Sequence, residues 1–212
     1  AMKFPAERWR NFLKEEEGEA LPFRIYCDMD GVLVNLAGAI LEAARQDAES
    51  EKQKKAVMHI IGNKNVVWHQ HKDDPKLRKG LKFIFELLGN NADWWASLPP
   101  TEDAQQLWSF IYQFDPFILS APWDKASANG KILWLSELAG NLTPVPKKDR
   151  IILTHNKAEY AVDPDTKVPN ILIDDMDKYI GPWEIAGGIA IKHVSASSTI
   201  NQLEKILRKK SK

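Results

Sequence analysis

Phe23-Arg24-Ile25-Tyr26-Cys27-Asp28-Met29-Asp30-Gly31-Val32-Leu33 is a short β-prone run cut off by an acidic break at Asp28-Met29-Asp30-Gly31. Similar apolar runs recur at Phe117-Ile118-Leu119, Ile151-Ile152-Leu153, Ile171-Leu172-Ile173 and Gly188-Ile189-Ala190-Ile191. Most are followed by a helical pattern. Ala104, Leu107, Trp108, Ile111 and Tyr112 make one apolar helical stripe, and Ala128, Ile132, Leu135 and Ala139 predict a second. A last helix is predicted over 199–208 and an N-terminal one over 6–17, ending at Gly18. Continuous apolar strands alternating with amphipathic helices predict an α/β fold: a Rossmann-like parallel sheet sandwiched by helices.

The stretch from about Asn35 to Leu98 breaks that rhythm. It carries at least two helical segments, Leu36 to Glu49 and Lys76 to Leu88, and no convincing strand. Its middle, Glu51 to Lys55 and His69 to Asp74, is strongly polar. The expectation is a small helical insertion over 35–98, after the first strand. Residues 1–34 and 99–212 would then form the core.

Composition narrows the classes. The 212 residues hold 29 basic and 29 acidic side chains, so the strong basic excess expected of a nucleic-acid binder is absent. No long nucleic acid is expected as a partner. The longest uncharged runs, such as Gly31 to Leu41 and Ala104 to Phe114, fall short of the ~18 residues that span a bilayer. Lys3, Glu7, Arg8 and Arg10 interrupt any signal-peptide core. A single cysteine, Cys27, excludes an internal disulfide, so the expected location is cytoplasmic. Its alternation with Phe23 and Ile25 marks it as an ordinary buried strand residue.

In a parallel α/β sheet, ligands bind beyond the carboxyl ends of the strands. There the successive runs present Asp28 and Asp30, then Ser120, then Thr154-His155-Asn156-Lys157, then Asp174 and Asp175. Four carboxylates converging on one edge repel one another unless a cation neutralises them. Hard oxygen ligands of this kind suit Mg²⁺, which leaves room for a phosphate.

Asp28-Met29-Asp30-Gly31-Val32-Leu33 resembles the DxDGxL signature of the haloacid dehalogenase-like superfamily. Ser120, Lys157 and Asp174-Asp175 follow in the order of its later motifs. The resemblance extends to one branch, the 5′(3′)-deoxyribonucleotidases. Their aromatic-rich segment is matched by Trp94-Trp95-Ala96-Ser97-Leu98-Pro99, and their "TSP" by Ser120-Ala121-Pro122. Their "ILTxxK" is matched by Ile152 to Lys157, and "LIDD" by Leu172 to Asp175. It covers most of residues 22–192 and is weak between Gln46 and Asp74.

This resemblance implies an HAD-like core with a helical cap after the first strand, and a Mg²⁺-dependent phosphomonoesterase. Asp28 would be the nucleophile and Asp30 the general acid and base. Asp28, the backbone carbonyl of Asp30 and Asp174 would hold the metal, with Asp175 orienting them. Lys157 and Ser120 would bind and neutralise the phosphoryl group. Dehalogenase members lack an acid at the position of Asp30, since halide leaves without a proton. Ala121 departs from the branch, which has a second hydroxyl there; a backbone amide, Lys125 or Lys131 would have to replace that donor.

The implied substrate is a small phosphomonoester, a deoxynucleoside monophosphate first. Other small phosphomonoesters, a nucleic-acid end or a catalytically weak nucleotide-binding protein are the alternatives. Trp94 and Trp95 could stack a base or simply pack, and Phe83 and Phe85 share that ambiguity. Trp108 and Trp134 read as core. His69-Gln70-His71 with Asp73-Asp74 reads as a solvated loop rather than a metal site. Arg208 to Lys212 reads as a frayed basic tail. The eight tryptophans leave room for a homodimer.

Overall fold

A computed structural model describes residues 23–63 and 74–210. The helix expected over 6–17 and the polar stretch 69–73 lie outside the described residues. Five strands form where the apolar runs predict them: β1 Ile25–Cys27, β2 Phe117–Ser120, β3 Ile151–Leu153, β4 Ile171–Asp174 and β5 Ile189–Lys192. They build one parallel sheet in the order β3-β2-β1-β4-β5. The chain leaves central β1 towards β2 and β3, then crosses back to β4 and β5. The order therefore reverses between β1 and β4, where a ligand crevice is expected beyond the strand ends.

Both sheet faces are covered. Ile25, Cys27, Ile118, Ile171 and Ile173 enter the larger apolar cluster, whereas Tyr26, Phe117, Leu119 and Leu172 enter a smaller one with Ala161 and Trp183. This period-two division of continuous apolar strands is what a doubly covered sheet requires. Cys27 is fully buried, and burial pushes its thiol well above the ordinary value.

The helices are α1 Leu36–Asp47, α2 Glu51–Gly62, α3 Arg78–Leu88, α4 Ala92–Ala96, α5 Ala104–Tyr112, α6 Lys125–Trp134, α7 Asp177–Ile185 and α8 Ala196–Lys210. The polar Glu51 to Lys55 opens α2, which buries Gln53, Ala56, Val57 and Ile60 along one face. Ser50 caps it through a hydrogen bond from Gln53 N. Helix α8 continues through Lys210, so the helical backbone extends into the basic segment predicted to fray.

The stripe predicted for α6 is corrected. Ser127, Gly130, Lys131 and Trp134 are buried, while Ile132 is exposed. Ala139 lies in a separate 3₁₀ turn, Glu137–Ala139. The physical reason is that buried polar contacts, described below, hold Lys131 inside and turn Ile132 outward. Trp108 and Trp134 are core residues as expected, each 1% exposed, and both donate their indole N–H to a backbone carbonyl. Among the described residues, no helix is long and apolar enough to cross a membrane.

Candidate active site

Asp28 directly follows β1, and its N–H donates to Ile173 O at 2.9 Å, so the strand pairing holds its backbone beside β4. The chain then turns tightly: Leu33 and Val34 N–H groups both donate to Met29 O. Gly31 sits at φ +77°, and a Cβ there would lie 2.5 Å from Asp175 Oδ2. Both conformation and close approach require glycine.

At the end of β4, Asp174 is fully buried and its Oδ1 accepts from Met176 N at 2.9 Å. Lys157 opens a 3₁₀ turn, Lys157–Tyr160, after β3 and is 1% exposed. Its Nζ lies 2.9 Å from Asp28 Oδ1 and 2.6 Å from Asp174 Oδ2, and 4.2 Å from the centroid of the Tyr179 ring. Ser120 ends β2, fully buried, and its Oγ has no hydrogen-bond partner among the described residues. A buried hydroxyl without a partner is costly, and this one stands at the same carboxyl edge of the parallel sheet as Asp28 and Asp174.

Burial dominates the electrostatics of Asp174, and with the neighbouring Asp28 charge raises its pKa to about 7, against the pull of Lys157. Burial also raises Asp30, opposed by Lys131 and supported by Asp28. Burial works against the charge on Lys157, but Asp28 and Asp174 outweigh it and raise its pKa. Burial lifts the Tyr179 phenol to about 12.

Asp28, Asp174 and Asp175 each offer a carboxylate oxygen within 4.8 Å of the others, the spacing of a shared cation site. With Asp30 added, four carboxylates face the two buried ammonium groups of Lys157 and Lys131. A divalent cation would offset the excess of negative charge. The all-oxygen donor set fits Mg²⁺.

Lys131 reaches this group from α6, with Nζ 2.6 Å from Asp30 Oδ2 and 4.9 Å from the centroid of the Trp95 ring. The sequence marks it only as a replacement phosphate donor; its bond to Asp30 has no local signal, because the partners are 101 residues apart. Tyr179 was missed altogether, although its place in the helix after Asp174-Asp175 was the available clue. Lys125 begins α6 on its exposed side. Ala121 is half-buried beside Ser120. Trp94 is half-buried, whereas Trp95 is 3% exposed and its indole N–H donates to Leu88 O. The two rings meet edge to face at 5.5 Å. Phe85 stacks on Trp123 in the loop after Ser120, their centroids 5.4 Å apart.

No protein-family profile matches the chain, and no curated protein does. Among solved structures, a hydrolase from Streptococcus pneumoniae TIGR4 is similar at 13% identity and a TM-score of 0.45, over 89% of this chain and all of that one. The L-2-haloacid dehalogenase of Xanthobacter autotrophicus, with chloropropionic acid covalently bound, is similar at 14% identity and 0.43, over 80% and 76%. A HAD family hydrolase from Deinococcus radiodurans R1 with bound phosphate and sodium is similar at 15% identity and 0.43, over 81% and 80%. Likenesses this distant assign this chain no activity.

Proposed function

We propose that this chain is a Mg²⁺-dependent phosphomonoesterase of the haloacid dehalogenase-like superfamily, acting on deoxynucleoside monophosphates through an aspartyl-phosphate. The observation that carries the proposal is Lys157, buried between Asp28 and Asp174 at the point where strand order reverses. Asp30, two residues from Asp28, favours phosphoryl transfer over dehalogenation, since an ester oxygen needs a proton to leave.

In the first step an Asp28 carboxylate oxygen attacks phosphorus. The bond to the ester oxygen breaks, and Asp30 gives that oxygen its proton. In the second, Asp30 takes a proton from water, whose oxygen attacks phosphorus. The Asp28–phosphorus bond breaks and inorganic phosphate leaves. Lys157 balances the charge of Asp28 and the phosphoryl group, and Ser120 Oγ donates to a phosphoryl oxygen. Asp28, Asp174 and the Asp30 carbonyl would hold Mg²⁺, with Asp175 orienting them; the ion supplies charge neutralisation and orients the phosphate.

Residues 1–34 and 99–212 would be the catalytic core and 35–98 a cap that limits water and contacts substrate. Trp94, Trp95 and Ala121 would border the substrate side. Phosphate release should be assayed on deoxynucleoside and ribonucleoside monophosphates, 3′-monophosphates and sugar phosphates, with Mg²⁺ and with EDTA. Release from deoxynucleotides first, abolished by EDTA, supports the proposal. Equal rates on sugar phosphates remove the nucleotide assignment, and no release from any substrate removes the enzyme.

A further inference from the structure

Lys131 is a long cationic side chain with 2% of its surface exposed, an expensive arrangement unless the charge is held by partners. It is held at two points. Nζ donates to Asp30 Oδ2 at 2.6 Å, and it rests over the ring of Trp95 at 4.9 Å. That ring is fixed in turn, since Trp95 Nε1 donates to Leu88 O at 2.9 Å.

The helix carrying Lys131 is fixed too. At Gly130 a Cβ would overlap Trp95 Cβ and lie 2.5 Å from Ala92 O, so α6 and α4 touch backbone to backbone next to the lysine. At their starts, Asp124 caps α6 by accepting from Ser127 N at 2.7 Å. Its other oxygen accepts from Asn90 N, also at 2.7 Å, just ahead of α4. The result for Asp30 is asymmetric: Oδ2 is tied to Lys131, while Oδ1 is buried and has no hydrogen-bond partner among the described residues.

We propose that Lys131 is a positioning residue for Asp30: by holding Oδ2 it fixes the carboxyl rotamer and leaves Oδ1 as the oxygen that exchanges the proton with the leaving group. The lysine takes its own position from Trp95 and Gly130, so the helix that ends the 35–98 insertion sets the geometry of proton transfer. This rests on the proposed role of Asp30 as proton donor. It also gives Trp95 a role as the seat of a cation.

A misplaced proton donor has a signature that general damage lacks. An alkyl ester such as a deoxynucleoside monophosphate needs leaving-group protonation, while 4-nitrophenyl phosphate expels a stable anion and needs little. kcat/KM should be measured on both substrates, in Mg²⁺, for wild type, Lys131→Met and Asp30→Asn. Lys131→Gln, which stays polar, serves if the Met variant does not fold. For Lys131→Met the value on the deoxynucleotide should fall about 10²-fold, and on 4-nitrophenyl phosphate by less than about tenfold. Asp30→Asn should show the same imbalance, more strongly. Equal losses on the two substrates would make Lys131 a phosphate ligand or a packing residue, and no loss would make it dispensable; either result overturns the inference alone. An Asp30→Asn variant without the imbalance overturns the role of Asp30, and the inference with it.

Discussion

Asp28, Asp30 and Lys157 are asked to do different jobs, and single substitutions should separate them. Asp28→Asn keeps the volume and removes the proposed nucleophile, so steady-state phosphate release should fall on the order of 10⁴-fold while the thermal midpoint holds near wild type. Near wild-type turnover in that variant would sink the mechanism. Lys157→Met should cost stability as well as activity. It leaves Asp28 and Asp174 buried without the cation now 2.9 and 2.6 Å from them, a loss of about 3–5 kcal/mol in urea unfolding without metal. Adding Mg²⁺ should then raise the thermal midpoint of this variant more than that of wild type. At this scale the sequence was informative where chemistry repeats at strand ends. It was silent on the partner of Lys131, because an ion pair between residues 30 and 131 leaves no trace in either neighbourhood.

Among the secondary-structure elements, the strands were legible because a sheet covered on both faces needs runs such as Ile151-Ile152-Leu153 without polar interruption. Helix α6 was misread because its inward face is polar: Lys131 points in because Asp30 and Trp95 hold it there, and Ile132 is left at 46% exposure. Asn170 is another residue whose importance only the fold reveals. Fully buried ahead of β4, it accepts from Arg24 N at 2.8 Å and donates to Tyr160 O at 2.9 Å. It thereby joins the entries of β1 and β4 to the turn that carries Lys157. Asn170→Ala should lower unfolding free energy by about 2–3 kcal/mol. Its loss of activity should recover on cooling as the folded fraction recovers; an unchanged denaturation midpoint would refute this role.

For the molecule as a whole, His193, which closes the sheet edge after β5 and is 5% exposed, should contribute to the pH dependence of stability, alongside Asp174, whose raised pKa acts in the opposite direction. His193 Nδ1 lies 2.9 Å from Thr199 Oγ1 in α8. Burial depresses its pKa below the ordinary 6.5, and the Asp103 carboxylate only partly offsets this. A depressed value means the unfolded chain takes up the proton first. The contribution to stability is therefore complete above pH 6.5, erodes as pH falls below it, and is lost below the folded-state value. Wild type should lose thermal stability relative to His193→Gln as pH falls from about 8 to about 5; a difference between the two that does not change with pH would contradict the assignment. The balanced total of 29 acids and 29 bases gives no hint of the acidic site within it, since a sum over the chain hides where the charges meet.

Under the proposed mechanism Asp28 becomes phosphorylated during turnover. Mixing the protein with a deoxynucleoside monophosphate in Mg²⁺, quenching in acid within one turnover and mapping its peptides by mass spectrometry tests this directly. The predicted result is one phosphoryl group on Asp28, formed with Mg²⁺ and absent with EDTA. Turnover with no phosphorylated protein, or with the group on another residue, would contradict it.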